Sequence, residues 1–156
     1  MAGLKSIQDL RNRVATFNNG VSSGEYIQQI IWDNGAYIVD MNAEEQLYEQ
    51  GVNCLGVDIM DYAPYSPVTI EIKKALGQPT NRVTLRDEGD FESSFFLEVG
   101  DKQFEIKASD FKTEDLIKKY GHQILGLTKE NIAVLIWQYI FPDLMEKAKN
   151  VLYGNE

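Results

Sequence analysis

Two β-favouring segments lie on either side of a short turn, and helical patterns occupy much of the remaining chain. Residues 95–99 and 103–107 flank a Gly-Asp pair, which predicts a β-hairpin. In the second segment Phe104 and Ile106 alternate with polar residues, so one face of that strand should contact water. We therefore predict an α+β fold in which several helices pack around a small antiparallel sheet.

Apolar residues at steps of three and four predict amphipathic helices before the hairpin. The first helix covers residues 4–17, with Leu4 on its apolar face, and should end at Asn18-Asn19-Gly20. The second covers residues 23–34 and extends to Met41 unless the weak point at Asn34-Gly35 stops it. Residues 43–49 predict a further helical turn or two, which Gly51 closes. Residues 52–66 are expected to form a loop.

Ser66 and Pro67 mark the start of the next predicted helix. Serine can cap the free amide groups, and proline is tolerated at the first helical position. The apolar face of this helix contains Val68, Ile72, Ala75 and Leu76, and Gly77 ends the helix. The alternation over residues 69–72 leaves a strand as the competing interpretation.

Two helices are expected after the hairpin, and a final amphipathic segment over residues 143–153 follows them. A short one begins after Thr113 and ends at Gly121. Thr128 should cap the longest apolar helix, whose apolar residues extend around it, so we expect this helix to be central. Pro142 lacks an amide donor and would clash with the preceding turn, which predicts a kink or break there.

The length and the scarcity of reactive side chains limit the possible functions. A chain of 156 residues fits a single domain over residues 1–156. One cysteine, Cys54, and one histidine, His122, permit neither an internal disulfide nor the usual nitrogen and sulfur zinc site. We expect Cys54 to be a small buried residue rather than a nucleophile. We expect no cofactor and no metal.

The protein is expected to be soluble and made in a cytoplasm. Residues 1–6 contain no continuous apolar run, so we expect no signal peptide. The most apolar stretch, residues 132–141, is about half the length that is needed to cross a bilayer.

The excess of acidic over basic residues lies in one interval of the chain. No Lys or Arg occurs between Arg13 and Lys73, and the acids of that interval account for the net charge of −9. Such a surface repels phosphate, so sequence-specific binding of nucleic acid is not expected. The acids either keep the protein soluble or face DNA without holding it.

Two further patterns leave alternatives open. Asp87 and Asp90 could be an acid/base pair, although a structural or solvated role is favoured because no supporting motif accompanies them. Tyr62 and Tyr65, on either side of Pro64, form an exposed patch for a partner or pack the loop onto its own domain.

Residues 83–95 contain an element with a specific resemblance. Leu85, Asp87, Gly89, Phe91 and Ser94 match the pattern L-x-D-T-G-x-L-x-x-S, which resembles tail-completion and minor-tail proteins of long-tailed phages. Glu88 stands where threonine is common in that pattern.

A wider set of segments, over roughly residues 36–150, is similar to structural proteins of phages that infect Bacteroidetes, including the crAss-like group. The matching pieces are residues 38–42 with 46–48, residues 65–67 with Thr69 and Lys73, residues 77–79 with 82–85, and residues 120–121 with 124–127.

The resemblance implies a non-enzymatic virion protein that forms a ring in the neck or upper tail. Such rings have cyclic symmetry, commonly six-fold or twelve-fold, and contact portal or tail proteins. The candidate interface residues are Tyr62, Tyr65, Phe104 and Ile106. The candidate channel-facing acids are Glu44, Glu45, Glu49, Asp58 and Asp61. The alternatives are a soluble adaptor or regulatory binding module, and a carboxylate-dependent hydrolase that uses Asp87 and Asp90.

Overall fold

A computed structural model describes residues 2–153, with side chains from residue 6 onward, so the predicted place of Leu4 lies outside the described side chains. The described chain divides into two compact units. Unit 1 contains residues 2–34, 99–103 and 134–153, and unit 2 contains residues 35–98 and 104–133. The prediction of one domain over the whole chain stays a prediction. The α+β class is confirmed by the helices and the two-stranded sheet described below.

Unit 1 is built from helices near both ends of the chain. They are α1 (Ala2–Ser23), α2 (Glu25–Asp33), a π-helix π2 (Leu135–Ile140) and α9 (Phe141–Tyr153). Arg13 of α1 donates to the carbonyl oxygens of Val151 (3.0 Å) and Leu152 (3.3 Å) near the end of α9. The guanidinium of Arg13 pairs with carbonyl oxygens that have no partner within α9, and its positive charge is attracted to the negative, C-terminal end of the helix dipole.

Helix α1 does not end at Asn18-Asn19-Gly20, which corrects the prediction. It continues to Ser23, and Gly24 with φ of 80° follows it. Gly20 is buried inside the helix, where an added Cβ would lie 2.4 Å from Cζ of the Tyr26 ring. The glycine therefore makes room for an aromatic ring and does not end the helix.

The helix that was expected to be central is largely exposed on one side. Leu135 is buried, but Ile136, Trp137 and Phe141 are all exposed. The chain also stays helical through Pro142, because π2 passes directly into α9. The wider π-helical turn before the proline accommodates the ring that would clash in a regular α-helix.

Unit 2 contains the remaining elements. They are α3 (Gly35–Asp40), the π-helix π1 (Met41–Gln50), α4 (Ile59–Tyr62), α5 (Pro67–Ala75), α6 (Asp90–Ser93), β1 (Phe95–Val99, with Val99 in unit 1), β2 (Phe104–Ala108), α7 (Thr113–Tyr120), a 3₁₀-helix (His122–Ile124) and α8 (Lys129–Val134, with Val134 in unit 1). The two strands pair with each other, which confirms the predicted hairpin.

Local start and stop signals in unit 2 agree with the prediction. The Ser66 hydroxyl accepts a hydrogen bond from the Thr69 amide (3.1 Å), so α5 is a helix and not a strand. Gly51 ends π1 with φ of 69°, and α3 begins directly after Asn34. The segment that was predicted as a loop contains α4, whose first turn is capped by Asp58 (2.8 Å to the Met60 amide).

The predicted apolar face of α5 does not face inward. Val68, Ile72 and Leu76 are 69%, 55% and 60% exposed, whereas Lys73 is 7% exposed. The Lys73 ammonium donates to the Gln78 side chain (2.7 Å) and to the Arg86 carbonyl (2.6 Å). These partners offset the cost of burying its charge.

Candidate functional site

The segment with the phage-like pattern begins as buried chain without regular secondary structure. Val83 and Thr84 are fully buried. The Tyr65 hydroxyl lies 2.9 Å from the Thr84 amide and 3.3 Å from the Thr84 hydroxyl. Leu85 follows with φ of 60°, a left-handed conformation that is rare for leucine and costs of order 1–2 kcal/mol. Tertiary packing therefore holds this backbone in place.

The second half of the pattern is a tight turn into the hairpin. Gly89 with φ of 96° precedes α6, and Asp90 is the first residue of that helix. Phe91 is buried and meets the Phe95 ring edge-on, with 4.8 Å between centroids. The Ser94 hydroxyl donates to the Phe91 carbonyl (2.7 Å). Each of these groups fixes the direction in which β1 begins.

Arg86 is the charged centre of this region. Its guanidinium bridges the Glu44 carboxylate and Glu92 Oε1, with 3.3 Å from Nε to Glu92. It also lies over the Tyr48 ring, 3.9 Å from the centroid. Glu92 is nearly fully buried, with 4% of its side chain exposed.

The electrostatics of the pair follow from this burial. Burial raises the pKa of the Glu92 carboxyl, and the charge of Arg86 opposes this shift without cancelling it. Burial lowers the pKa of Arg86, but its hydrogen bonds and the charges of Glu44 and Glu92 more than offset this, so the net shift is upward. The guanidinium stays protonated at any physiological pH.

These charged groups line a cleft between α3, π1 and α6, with a volume of about 270 Å³. Ala36 and Val39 form part of its apolar wall, and Asp40, Glu44, Arg86 and Glu92 supply charge. Sequence reasoning missed Arg86, Glu92 and Asp40 as members of one site. They come from separate elements, so no spacing along the chain indicates that they meet.

A second polar cluster ties π1 to the loop before α8. The Gln46 side chain donates to the Gly126 carbonyl (2.9 Å) and accepts from the Thr128 amide (2.8 Å) and the Asn131 side chain (3.0 Å). Asn42 accepts from the Gly126 amide (3.0 Å). Gln46 and Asn42 are fully buried, and each side-chain oxygen and nitrogen has a hydrogen-bond partner within the chain, so this cluster is structural.

The predicted interface residues are not all on the surface. Tyr65 and Ile106 are buried within the described chain, and their place in an interface stays a prediction. Tyr62 is 45% exposed while its hydroxyl donates to the Tyr120 carbonyl (2.8 Å). Phe104 is half-buried.

The five candidate channel-facing acids also differ in placement. Glu44 is bound by Arg86, and Asp58 caps α4. Glu45 is half-buried, and Glu49 and Asp61 are exposed. The last two are the carboxylates that are most accessible for such a role.

The geometry supports neither an acid/base pair of Asp87 and Asp90 nor a nucleophilic role for Cys54. Asp87 and Asp90 are exposed and lie outside the cleft lining. Burial raises the pKa of the half-buried Cys54 thiol, which disfavours the nucleophilic thiolate. Within residues 2–153, no group of three or more His, Cys, Asp or Glu side chains is arranged to hold a metal ion. No helix in that range is long and apolar enough to cross a membrane.

Comparison with known proteins adds nothing to these observations, because no family model, curated protein or solved structure matches the chain.

Proposed function

We propose that this chain is a non-enzymatic structural protein of a tailed-phage particle, and that copies of it form a ring in the neck or upper tail. The observation that carries the proposal is the pattern Leu85, Asp87, Gly89, Phe91 and Ser94, which resembles tail-completion and minor-tail proteins. The protein would be made in the host cytoplasm and would contact portal or tail proteins.

The geometry of that pattern supports an architectural role. Leu85 and Phe91 are buried, and Gly89 supplies a positive φ before α6. The Ser94 hydroxyl closes the turn onto the Phe91 carbonyl. These side chains determine the backbone shape of the turn and leave no group for chemistry. Such a role suits a protein whose function is to assemble with other subunits.

Exposed apolar side chains support a role that depends on partners. Val68 and Ile72 lie at successive turns of α5, and Leu76 directly follows its end. Trp32 and Trp137 are each more than 60% exposed. Apolar side chains that recur on exposed surface are typical of protein–protein interfaces.

The decisive experiment is an electron-microscopy map of intact particles from a culture that makes the chain. We expect a ring of copies between the portal and the tail tube. Normal tailed particles that lack the chain would contradict the proposal. A stable monomer that is absent from purified particles would favour the alternative, a soluble adaptor.

A charge reversal tests the proposed channel. If Glu49 and Asp61 face passing DNA, the double variant Glu49→Lys/Asp61→Lys should assemble normally but transfer its genome slowly, since lysines attract phosphate. The matched control is Glu114→Lys/Asp115→Lys on the exposed side of α7. Equal transfer rates in both variants would remove these two acids from the channel.

A further inference from the structure

The side of α9 that faces away from the rest of unit 1 carries apolar side chains along its whole length. Helices α1 and α2 pack on the inner side of α9, where Val151 is buried and the Lys147 ammonium lies 4.1 Å from the centroid of the Tyr26 ring. The apolar side chains of the opposite side are between 43% and 76% exposed: Phe141, Met145, Leu152 and Tyr153. Contiguous apolar surface of this kind is typical of a protein contact.

The helical spacing places these residues on one strip. Phe141, Met145 and Leu152 follow one another at steps of four and seven, which return to the same side of a helix with 3.6 residues per turn. Lys149 lies between Met145 and Leu152 on this strip, Glu146 lies beside it, and both charged side chains are exposed. These five residues and Tyr153 form the outer face of α9, which has apolar ends and two opposite charges near its middle.

The charges of α9 favour a contact with an identical helix. Neither Glu146 nor Lys149 forms an ion pair with another described residue. The helix contains two acids and two lysines and is neutral, although the whole chain has a net charge of −9. Two copies that meet through α9 therefore experience less repulsion than two copies that meet through acidic surface.

An antiparallel pair of α9 helices brings complementary groups of the outer face together. A two-fold axis through the middle of the helix places Phe141 opposite Tyr153 of the second copy, and Met145 opposite the carbon stem of Lys149. Glu146 then lies within one residue, or about 1.5 Å of helical rise, of the level of Lys149 in the second copy. In a parallel pair each charge would instead face the same charge, which is unfavourable.

We infer that two copies of this chain pair through the outer face of α9 as an antiparallel, two-fold dimer. Phe141 and Tyr153 make the apolar contacts at both ends, and Glu146 and Lys149 form ion pairs across the axis. Thirteen residues of helix span about 20 Å. A contact of this length is small, so the dimer should be reversible, with a Kd between about 10 µM and about 1 mM. The inference does not depend on the proposed role in a phage particle.

Sedimentation velocity of the full chain over that range of concentrations tests the dimer. Leu152→Ser removes an apolar side chain from the outer face and should raise the Kd at least about tenfold. The matched control Phe111→Ser replaces a side chain that is 84% exposed in unit 2 and should leave the Kd unchanged. A chain that stays monomeric up to about 1 mM would overturn the inference. So would equal Kd values for Leu152→Ser and wild type.

Charge reversal tests whether the ion pairs join two copies. Lys149→Glu places like charges opposite each other twice in the dimer and should raise the Kd at least about tenfold. The double variant Glu146→Lys/Lys149→Glu restores opposite charges and should return the Kd to within about threefold of wild type. Lys118→Glu, in the exposed Asp115–Lys118 pair of α7, changes the net charge as much as Lys149→Glu does and is the matched control. A double variant that dimerises as weakly as Lys149→Glu would contradict the antiparallel pairing.

Disulfide formation tests the direction of the two helices. In a Cys54→Ser background, a mixture of Phe141→Cys and Tyr153→Cys chains should form a mixed disulfide dimer under mild oxidation, because the two positions face each other. Phe141→Cys alone should form none, since the two copies of this position lie about 18 Å apart along the axis. A disulfide dimer of Phe141→Cys with itself, or the absence of the mixed dimer, would overturn the inference.

Discussion

The two compact units bury different kinds of side chain. All buried polar side chains among the described residues lie in unit 2: Asn42, Gln46, Asn53, Lys73, Thr84, Glu92, Thr128 and Asn131. The described core of unit 1 is apolar and small, with Ile30, Ile31, Leu135 and Val151 buried. Both units leave large apolar side chains exposed, among them Trp32 and Trp137 in unit 1 and Val68 and Phe111 in unit 2.

This difference indicates how each unit specifies its packing. A buried hydrogen bond is satisfied in one geometry, so the Gln46 and Asn42 contacts in unit 2 select a single arrangement of π1 and the loop before α8. Apolar contacts are less directional. Unit 1 therefore depends on shape, as at Gly20 and Tyr26, and has apolar surface that a partner can cover.

The largest expected effect is the loss of the Gln46 contacts. Gln46→Leu leaves the Thr128 amide and the Gly126 carbonyl unpaired, and should lower the free energy of unfolding by about 3 kcal/mol. Both tryptophans lie in unit 1. We therefore expect the circular-dichroism transition in urea to shift, and the tryptophan fluorescence transition to shift much less.

The control for this variant is Gln29→Leu, at an exposed position of α2, which should change stability by less than about 0.5 kcal/mol. Equal shifts of both transitions in Gln46→Leu would show that the two units unfold together. That result would contradict the view that each unit is stabilised by its own kind of contact.

The packing of Gly20 against Tyr26 should give an intermediate effect. Gly20→Ala places a Cβ within 2.4 Å of the ring, and the overlap should cost about 2 kcal/mol against a gain of about 1 kcal/mol in helix propensity. The expected net loss is about 1 kcal/mol, measured by tryptophan fluorescence in urea. In a Tyr26→Ala background the same change should stabilise by about 1 kcal/mol. A loss in both backgrounds would mean that the ring is not the cause.

The burial of Glu92 predicts a dependence on pH that is confined to unit 2. Its pKa in the folded state is raised above the ordinary 4.5. The unfolded chain therefore loses this proton at lower pH than the folded chain, and stability falls as pH rises through that interval. Glu92→Gln should remove this fall in a series of urea titrations from about pH 4 to pH 7. Glu88→Gln should retain it, and an identical slope in both variants would assign the effect to other groups.

The smallest effect on stability is expected at the exposed apolar side chains. Trp32→Ser in unit 1 and Val68→Ser in unit 2 replace side chains that are 64% and 69% exposed. Each should change the free energy of unfolding of the isolated chain by less than about 0.5 kcal/mol. If unit 1 provides the surface that meets a partner, only Trp32→Ser should weaken assembly, as measured by sedimentation velocity, and if α5 provides it, only Val68→Ser should. Assembly of Trp32→Ser at the wild-type level would exclude Trp32 from that surface.

Much of the local structure could be predicted from the sequence. The hairpin, the start of α5 at Ser66-Pro67, the ends at Gly51 and Gly121 and the cap at Thr128 all depend on residues within a few positions of one another. The turn at Gly89 in the phage-like pattern also depends on the local sequence. The prediction that the first helix ends at Gly20 was wrong, because the role of this glycine depends on the Tyr26 ring, six residues further along the chain.

The sequence by itself determined the α+β class, most element boundaries and the excess of acidic residues, since these follow from local propensity and composition. Tertiary structure alone decided that Lys73 lies inside and Val68 outside, that Leu85 adopts a left-handed backbone, and that Glu92 is buried beside Arg86. The physical reason is that burial and partner choice depend on side chains brought from separate elements. Periodicity along one element cannot report which of its faces will find such partners.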